Sequence, residues 1–138
     1  MARRLSDDDI QQFLATREVV VLSTVQPDGS PLAMPVWFVH DRKGVTMISE
    51  ADTQKVRNLR RDPRVCVVAE SGSRQDARAV MIGGRAEFVP ESPARRELVR
   101  ALLDRYSPNL GRRWGGDAMP ADRVMFRIIP AWVRTYGM

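Results

Sequence analysis

Residues 18–31 constrain this chain more than any other stretch. Residues 18–25 (Glu-Val-Val-Val-Leu-Ser-Thr-Val) are rich in β-branched side chains and too few for a helix, so they read as a strand. Gln26-Pro27-Asp28-Gly29-Ser30 follows. Proline fixes one φ there and glycine supplies a positive one, so the chain turns straight back. A second strand runs from about Pro31 to His40, Asp41-Arg42-Lys43-Gly44 turns again, and residues 45–49 form a third. An antiparallel meander in so small a chain needs its edges closed. This favours a mainly β fold with helices at the rim of a closed or partly closed barrel.

Residues 48–61 end the third strand, cross a short polar loop and open a basic helix, Gln-Lys-Val-Arg-Asn-Leu-Arg-Arg at its close. Asp52 or Thr53 is the expected N-cap, because a short side-chain oxygen takes a free N–H of the first turn. Pro63 stops the helix. A helix start presents unpaired N–H groups and the positive end of its dipole, a natural seat for phosphate. Lys55 falls in that first turn, and Arg57 and Asn58 follow within one more. A solvated basic face is the competing reading of the same residues.

Upstream, Ser6 followed by Asp7, Asp8 and Asp9 marks a helix start with acids at the positive dipole end. Ile10, Phe13 and Leu14 share one face of that helix, which ends near Thr16. Downstream, residues 64–70 and 77–89 read as strands, with Val80, Ile82, Ala86 and Phe88 on one side of the second. Gly83-Gly84 implies a bulge, or close approach by a backbone or ligand. Ser92-Pro93 opens a helix to about Tyr106. Residues 107–121 hold three glycines, two prolines and Trp114, and read as an irregular loop. Residues 122–129 and 131–136 are expected as two strands, broken or bent at Pro130.

The 138 residues suit one domain, 1–138. A formal charge of +5 favours anionic partners. The basic residues are scattered, without a recognition helix or an aromatic RNA-binding pattern, so nucleic acid is not expected. Cys66 is the one cysteine, which excludes an internal disulfide, fits a reducing compartment and reads as a small core residue. No apolar segment follows Arg3 and Arg4, and none approaches a membrane span, so a cytoplasmic protein is expected.

Three segments together carry a resemblance. They are the strand–turn–strand of residues 21–31, Met34-Pro35-Val36-Trp37-Phe38-Val39 in the second strand, and residues 53–65 from Thr53-Gln54-Lys55 to Pro63-Arg64-Val65. The chain resembles the flavin- and deazaflavin-binding split β-barrel superfamily typified by pyridoxamine 5′-phosphate oxidase. Within it, the chain is most similar to the small actinobacterial F420-dependent reductases. The resemblance implies an FMN-binding-like split barrel, a homodimer with two cofactor sites at its interface, and F420, or alternatively FMN, as cofactor. It assigns Pro35, Val36, Trp37 and Phe38 to the tricyclic ring, Ile48 and Ser49 to the ribityl chain, and Lys55 with Thr53 and Gln54 to the phosphate. Arg57 and Asn58 would assist. Arg60, Arg61 and Arg64 are candidates for an acidic cofactor tail, and the Trp114 and Trp132 regions of a partner subunit for closing the site. The Arg and His that pyridoxamine phosphate oxidases use near the C-terminus have no match in residues 129–134, which argues against oxidation of pyridoxamine phosphate itself.

The sole histidine, His40, has too few partners for a metal site or a nucleophilic triad. No acid–base cluster stands out, as suits an enzyme whose cofactor carries the chemistry. The expected activity is hydride transfer between reduced cofactor and a small electron-poor substrate; a non-catalytic carrier or sensor of F420 or FMN is the alternative. Of Trp37 and Phe38, on opposite strand faces, one is expected in the core and one toward the ligand. Met34 and Met81 read as core fillers.

Overall fold

One antiparallel sheet of seven strands carries the structure, and its two edges are formed by a single run of chain. A computed structural model describes residues 2–138; Met1, the first residue of the expected domain, lies outside them. The elements are α1 (Asp8–Ala15), β1 (Val20–Val25), β2 (Pro31–Val36), β3 (Val39–Asp41), β4 (Gly44–Glu50), α2 (Gln54–Arg61), β5 (Arg64–Glu70), β6 (Ala79–Phe88), α3 (Pro93–Arg105), α4 (Asn109–Trp114) and β7 (Arg123–Tyr136). The strand order is β2-β1-β5-β6-β7-β4-β3. β2 pairs with β1 and β3 with β4, so the sheet curls until its edges approach at Trp37 and Phe38.

The first turn forms as its residues dictate. Gly29 has φ +88°, the Gln26 N–H donates to the Ser30 carbonyl at 2.8 Å, and the Asp28 carboxylate accepts the Ser30 N–H at 3.0 Å. Val25 therefore faces Pro31, and every later register in the hairpin follows. The expected strand from Pro31 to His40 is two strands. The Tyr106 hydroxyl accepts the Phe38 N–H at 2.9 Å, and the chain crosses there from one sheet edge to the other.

Barrel interior and α1 share the main core. Ile10, Phe13 and Leu14 of α1 pack with Leu22, Phe38, Met47, Ile82, Phe126 and Ile128, all essentially removed from water. Each such side chain contributes roughly 1.5–3 kcal/mol by burial. A second, smaller cluster holds α3 and α4 against the outside of β3 and β4 through Val39, Leu102, Tyr106 and Leu110.

Helix α1 starts within the expected Ser6–Asp9 stretch: Asp7 is its N-cap, and its carboxylate accepts from the backbone N–H of Arg4 and Nε of Arg3 rather than from the helix. Three expectations are corrected. Residues 109–114 form α4; Leu110, Arg113 and Trp114 have helical spacing that the surrounding glycines and prolines obscure. β7 runs unbroken through Pro130, because the register shifts between Gly83 and Gly84 and leaves Ala131 as an extra residue opposite them. Cys66 is half-buried on the outer sheet face, alternating with buried Val65 and Val67, rather than in the core.

Gly83 and Gly84 answer the expectation of close approach. A Cβ on Gly83 would meet the Trp132 ring at 2.1 Å, and one on Gly84 would meet the Ile129 carbonyl oxygen at 2.0 Å. The approaching groups belong to the chain itself.

Candidate functional site

A groove of about 700 Å³ opens where β2 and β4 meet α2, α3 and α4. Its apolar walls come from Pro35, Val36, Trp37, Ile48, Leu102 and Leu110, and Met34 and Trp114 complete its apolar lining. Ser49, Glu50, Thr53, Lys55 and Arg123 gather at the α2 side, and Arg113 stands on the α4 side.

The polar end is built by the turn from β4 into α2. Thr53 occupies the N-cap with extended geometry, but its hydroxyl donates back to the Glu50 carbonyl at 3.1 Å and caps nothing. Asp52 is paired with Arg57 at 2.7 Å. The expected side-chain cap is therefore missing, and no side chain among the described residues accepts from the first-turn N–H groups of α2. Ser49 Oγ lies 3.4 Å from Thr53 Oγ1. Lys55 retains only 9% of its exposure and makes no ion pair among the described residues. Burial holds its ammonium below the usual lysine range, opposed by the charge of Glu50. A cation kept partly dry and unpaired beside free N–H donors is arranged to receive an anion.

The apolar wall is fixed from behind. Trp37 stacks on Tyr106 with ring centroids 4.5 Å apart and planes 2° apart. The Arg113 guanidinium lies 5.5 Å from the Trp37 ring centroid. Arg123 is held by Asp122 at 2.6 Å and lies 3.7 Å from Glu50.

Seven of the sequence-assigned residues meet on this groove: Pro35, Val36, Trp37, Ile48, Ser49, Thr53 and Lys55. Four do not line it. Phe38 points the other way and is fully buried in the barrel core, which resolves the Trp37–Phe38 alternation. Asn58 is fully buried and donates to Thr24 Oγ1 at 3.0 Å; Gln54 donates to Asn58 Oδ1 at 2.8 Å, so both brace α2 against β1. Arg57 is turned to Asp52. The tail candidates also lie off the groove: Arg60 covers the Phe88 ring, Arg61 donates to the Val25 carbonyl, and Arg64 pairs with Asp62. Met34 is an exposed lining residue and Met81 is half-buried, so neither fills the core. Trp114 reaches the groove from its own chain, whereas Trp132 packs on Gly83.

Sequence reasoning did not single out Glu50, Leu102, Leu110, Arg113 or Arg123. The pattern Leu110-x-x-Arg113-Trp114 was the available signal for two of them. Arg123 and Glu50 carry no motif; they meet because β4 and β7 pair with Glu50 opposite Arg123.

A seven-stranded curled sheet with this groove at its β2–β4 rim defines a pyridoxamine 5′-phosphate oxidase-like split barrel. The profile of the pyridoxamine 5′-phosphate oxidase family matches residues 6–137, so the chain belongs to that family. A pyridoxine/pyridoxamine 5′-phosphate oxidase of Thermobifida fusca is 41% identical over 56 residues, a match covering 40% of this chain and a quarter of that relative. The conserved hypothetical protein Rv2991 of Mycobacterium tuberculosis is similar over 96% of this chain and 84% of its own, with TM-score 0.81 and 31% identity. An F420 reductase shares 25% identity with TM-score 0.67, covering 90% of this chain and 94% of its own. The heme storage protein HutZ of Vibrio cholerae, 20% identical with TM-score 0.76 and covering 98% and 95%, shares the fold.

Proposed function

We propose that the groove holds a flavin-type cofactor, F420 or alternatively FMN, and that the protein is an oxidoreductase acting on a small electron-poor substrate. The observation that carries this reading is Lys55: a shielded, unpaired cation beside uncapped helix N–H groups, at one end of an apolar groove. Lys55, Thr53 and Ser49 would hold the phosphate arm, and Pro35, Val36 and Trp37 would pack the tricyclic ring. When bound, such a cofactor supplies two electrons and a proton as hydride. The protein's part is to bind, orient and shield. Among the described residues the groove presents one carboxylate, Glu50, beside Arg123 and Lys55, and the hydroxyls of Ser49 and Thr53; the second proton of a reduction would come from water or one of these hydroxyls.

Similarity to an F420 reductase over nearly the whole chain supports F420 over FMN. Among the described residues, no histidine or cysteine lines the groove wall for a heme, and Met34 is its one thioether. No helix among the described residues is long and apolar enough to cross a membrane. The reading places the protein in the reducing cytoplasm, where the Cys66 thiol persists.

It also makes the protein a homodimer. The outer sheet face carries Val21, Val68 and Met81 in one cross-strand row and Ser23, Cys66, Gly83 and Trp132 in the next. Val21 and Trp132 on that face are 38% and 41% exposed, an apolar surface suited to a second copy beside the groove.

Titration with F420 and with FMN, followed by ligand fluorescence, tests the reading. Micromolar or tighter binding of one, with turnover of quinones, nitro compounds or tetrapyrroles, is expected. Tight binding without turnover of any of them favours a carrier or sensor instead. Binding of neither cofactor removes the reading.

A further inference from the structure

We infer that Arg113 forms the acceptor end of the groove and selects flat substrates that carry a carboxylate. The inference rests on the proposed cofactor reading, because it assigns the Lys55 end to the cofactor's phosphate arm.

Among the described residues, three cations and one carboxylate line the groove. Arg123 is committed to Asp122 and Glu50, and Lys55 has Glu50 as its charged neighbour. Arg113 differs: it is exposed and makes neither an ion pair nor a side-chain hydrogen bond among the described residues. Its surroundings are apolar. The Trp37 ring lies beneath it at 5.5 Å, and Leu110 and Trp114 share its short helix.

That combination sets what would bind. With Trp37 given to the cofactor ring, Trp114 and Leu110, which line the groove on the same short helix as Arg113, offer apolar area for a flat substrate ring. A guanidinium beside apolar walls attracts a carboxylate more strongly than one in open water, and does so through paired N–H donors. No carboxylate on the α4 side of the groove repels the newcomer, since Glu50 stands at the other end. A neutral ring would gain the apolar contact alone. An electron-poor aromatic carboxylate fits both features.

The test compares 4-nitrobenzoate with its neutral counterpart 4-nitrobenzamide, read by quenching of tryptophan fluorescence in the full chain with and without F420. The acid is expected to bind about tenfold more tightly than the amide, a gap that narrows with salt. Arg113→Gln should erase the gap, and Arg113→Lys should retain part of it. Melting temperature and F420 affinity should change far less than nitrobenzoate affinity, because the side chain is exposed and makes no ion pair or hydrogen bond among the described residues. Equal affinity for acid and amide, or a gap that survives Arg113→Gln, overturns the inference. So does an F420 dissociation constant that rises with Arg113→Gln as much as that of nitrobenzoate, which assigns Arg113 to the cofactor. An Arg113-dependent gap in a protein that binds neither cofactor keeps the anion site and removes the cofactor reading. Tight F420 binding with no gap does the reverse.

Discussion

The indole of Trp37 lies flat on the phenol of Tyr106, 4.5 Å between centroids and 2° from parallel. The same tyrosine's hydroxyl accepts the Phe38 N–H at 2.9 Å and has the carbonyls of Glu18 and Phe38 within 3.0 Å as acceptors for its one proton. One side chain thus fixes both the groove wall and the point where the chain crosses between sheet edges.

Tyr106→Phe separates those two roles. The ring stack survives, but the buried Phe38 N–H loses its acceptor. Leaving such a donor unmade costs about 1–3 kcal/mol. Chemical denaturation should show that loss, with faster amide exchange at Phe38 than elsewhere in the core. Unchanged stability would mean that water replaces the hydroxyl.

The two adjacent glycines of β6 should differ in tolerance. At Gly84 a new methyl meets the Ile129 carbonyl, part of the backbone of the paired strand, and neither strand can yield without breaking the ladder. At Gly83 it meets the Trp132 ring, which is 41% exposed and free to rotate outward. Gly84→Ala is expected to cost roughly 2–3 kcal/mol and Gly83→Ala about 1 kcal/mol or less. Trp132→Ala should relieve Gly83→Ala and leave Gly84→Ala as it was. Equal costs measured by urea unfolding would contradict this account of the bulge.

His40 gives the fold a pH dependence of predictable sign. Its Nδ1 lies 2.8 Å from Gln11 Oε1, so the neutral ring donates there. Burial, helped by the positive charge of Arg105 and opposed by Asp41, brings its pKa down from 6.5 to about 4. The unfolded chain therefore binds a proton that the folded chain refuses between those values. Stability is at its full value above pH 6.5, declines as pH falls through the window, and levels off near pH 4. Partial exposure discounts the loss to about 1–2 kcal/mol. His40→Gln should remove that component, read as the difference between the two proteins' unfolding curves at about pH 7 and about pH 4.5. Parallel pH profiles would show that the carboxylates alone set the dependence.

Local chemistry explains which parts of this structure were legible in the sequence. Pro27-Asp28-Gly29 fixed the first hairpin, and alternation along residues 79–88 named its core face, because turn geometry and strand period act within a few residues. The Trp37–Phe38 crossing was not legible, since its cause is a hydroxyl 68 residues away in sequence. The passage of β7 through Pro130 was hidden for the same reason: the glycine pair that accommodates it sits on another strand. At the groove, Lys55 and Ser49 were found through motif and position. Glu50 was not, because nothing near it in sequence marks it, and Arg113 was not, because the glycines and prolines around it obscure the spacing of its short helix. Asn58 looked like a ligand-facing polar residue, yet the helix turns it inward to Thr24.

Lys55 is where the proposed cofactor site is most open to refutation. Its charge is partly removed from water without an ion pair, which disfavours folding slightly and keeps its ammonium below the usual lysine range. A phosphate arriving there restores the missing solvation. Lys55→Met keeps the aliphatic stem that packs against the groove. It should therefore leave the melting temperature equal or higher, whereas Lys55→Ala loses the packing as well. Both substitutions should raise the dissociation constants of F420 and FMN by about ten- to a hundredfold, the worth of a charge-assisted hydrogen bond. The salt dependence of binding should flatten with them, since the ammonium–phosphate attraction they remove is electrostatic. Isothermal titration of the three proteins at two salt concentrations measures the binding changes, and thermal melts of the same proteins measure the stability changes. Constants unchanged for both cofactors would move the phosphate arm elsewhere, and with it the reason for reading the α2 end of the groove as a cofactor seat.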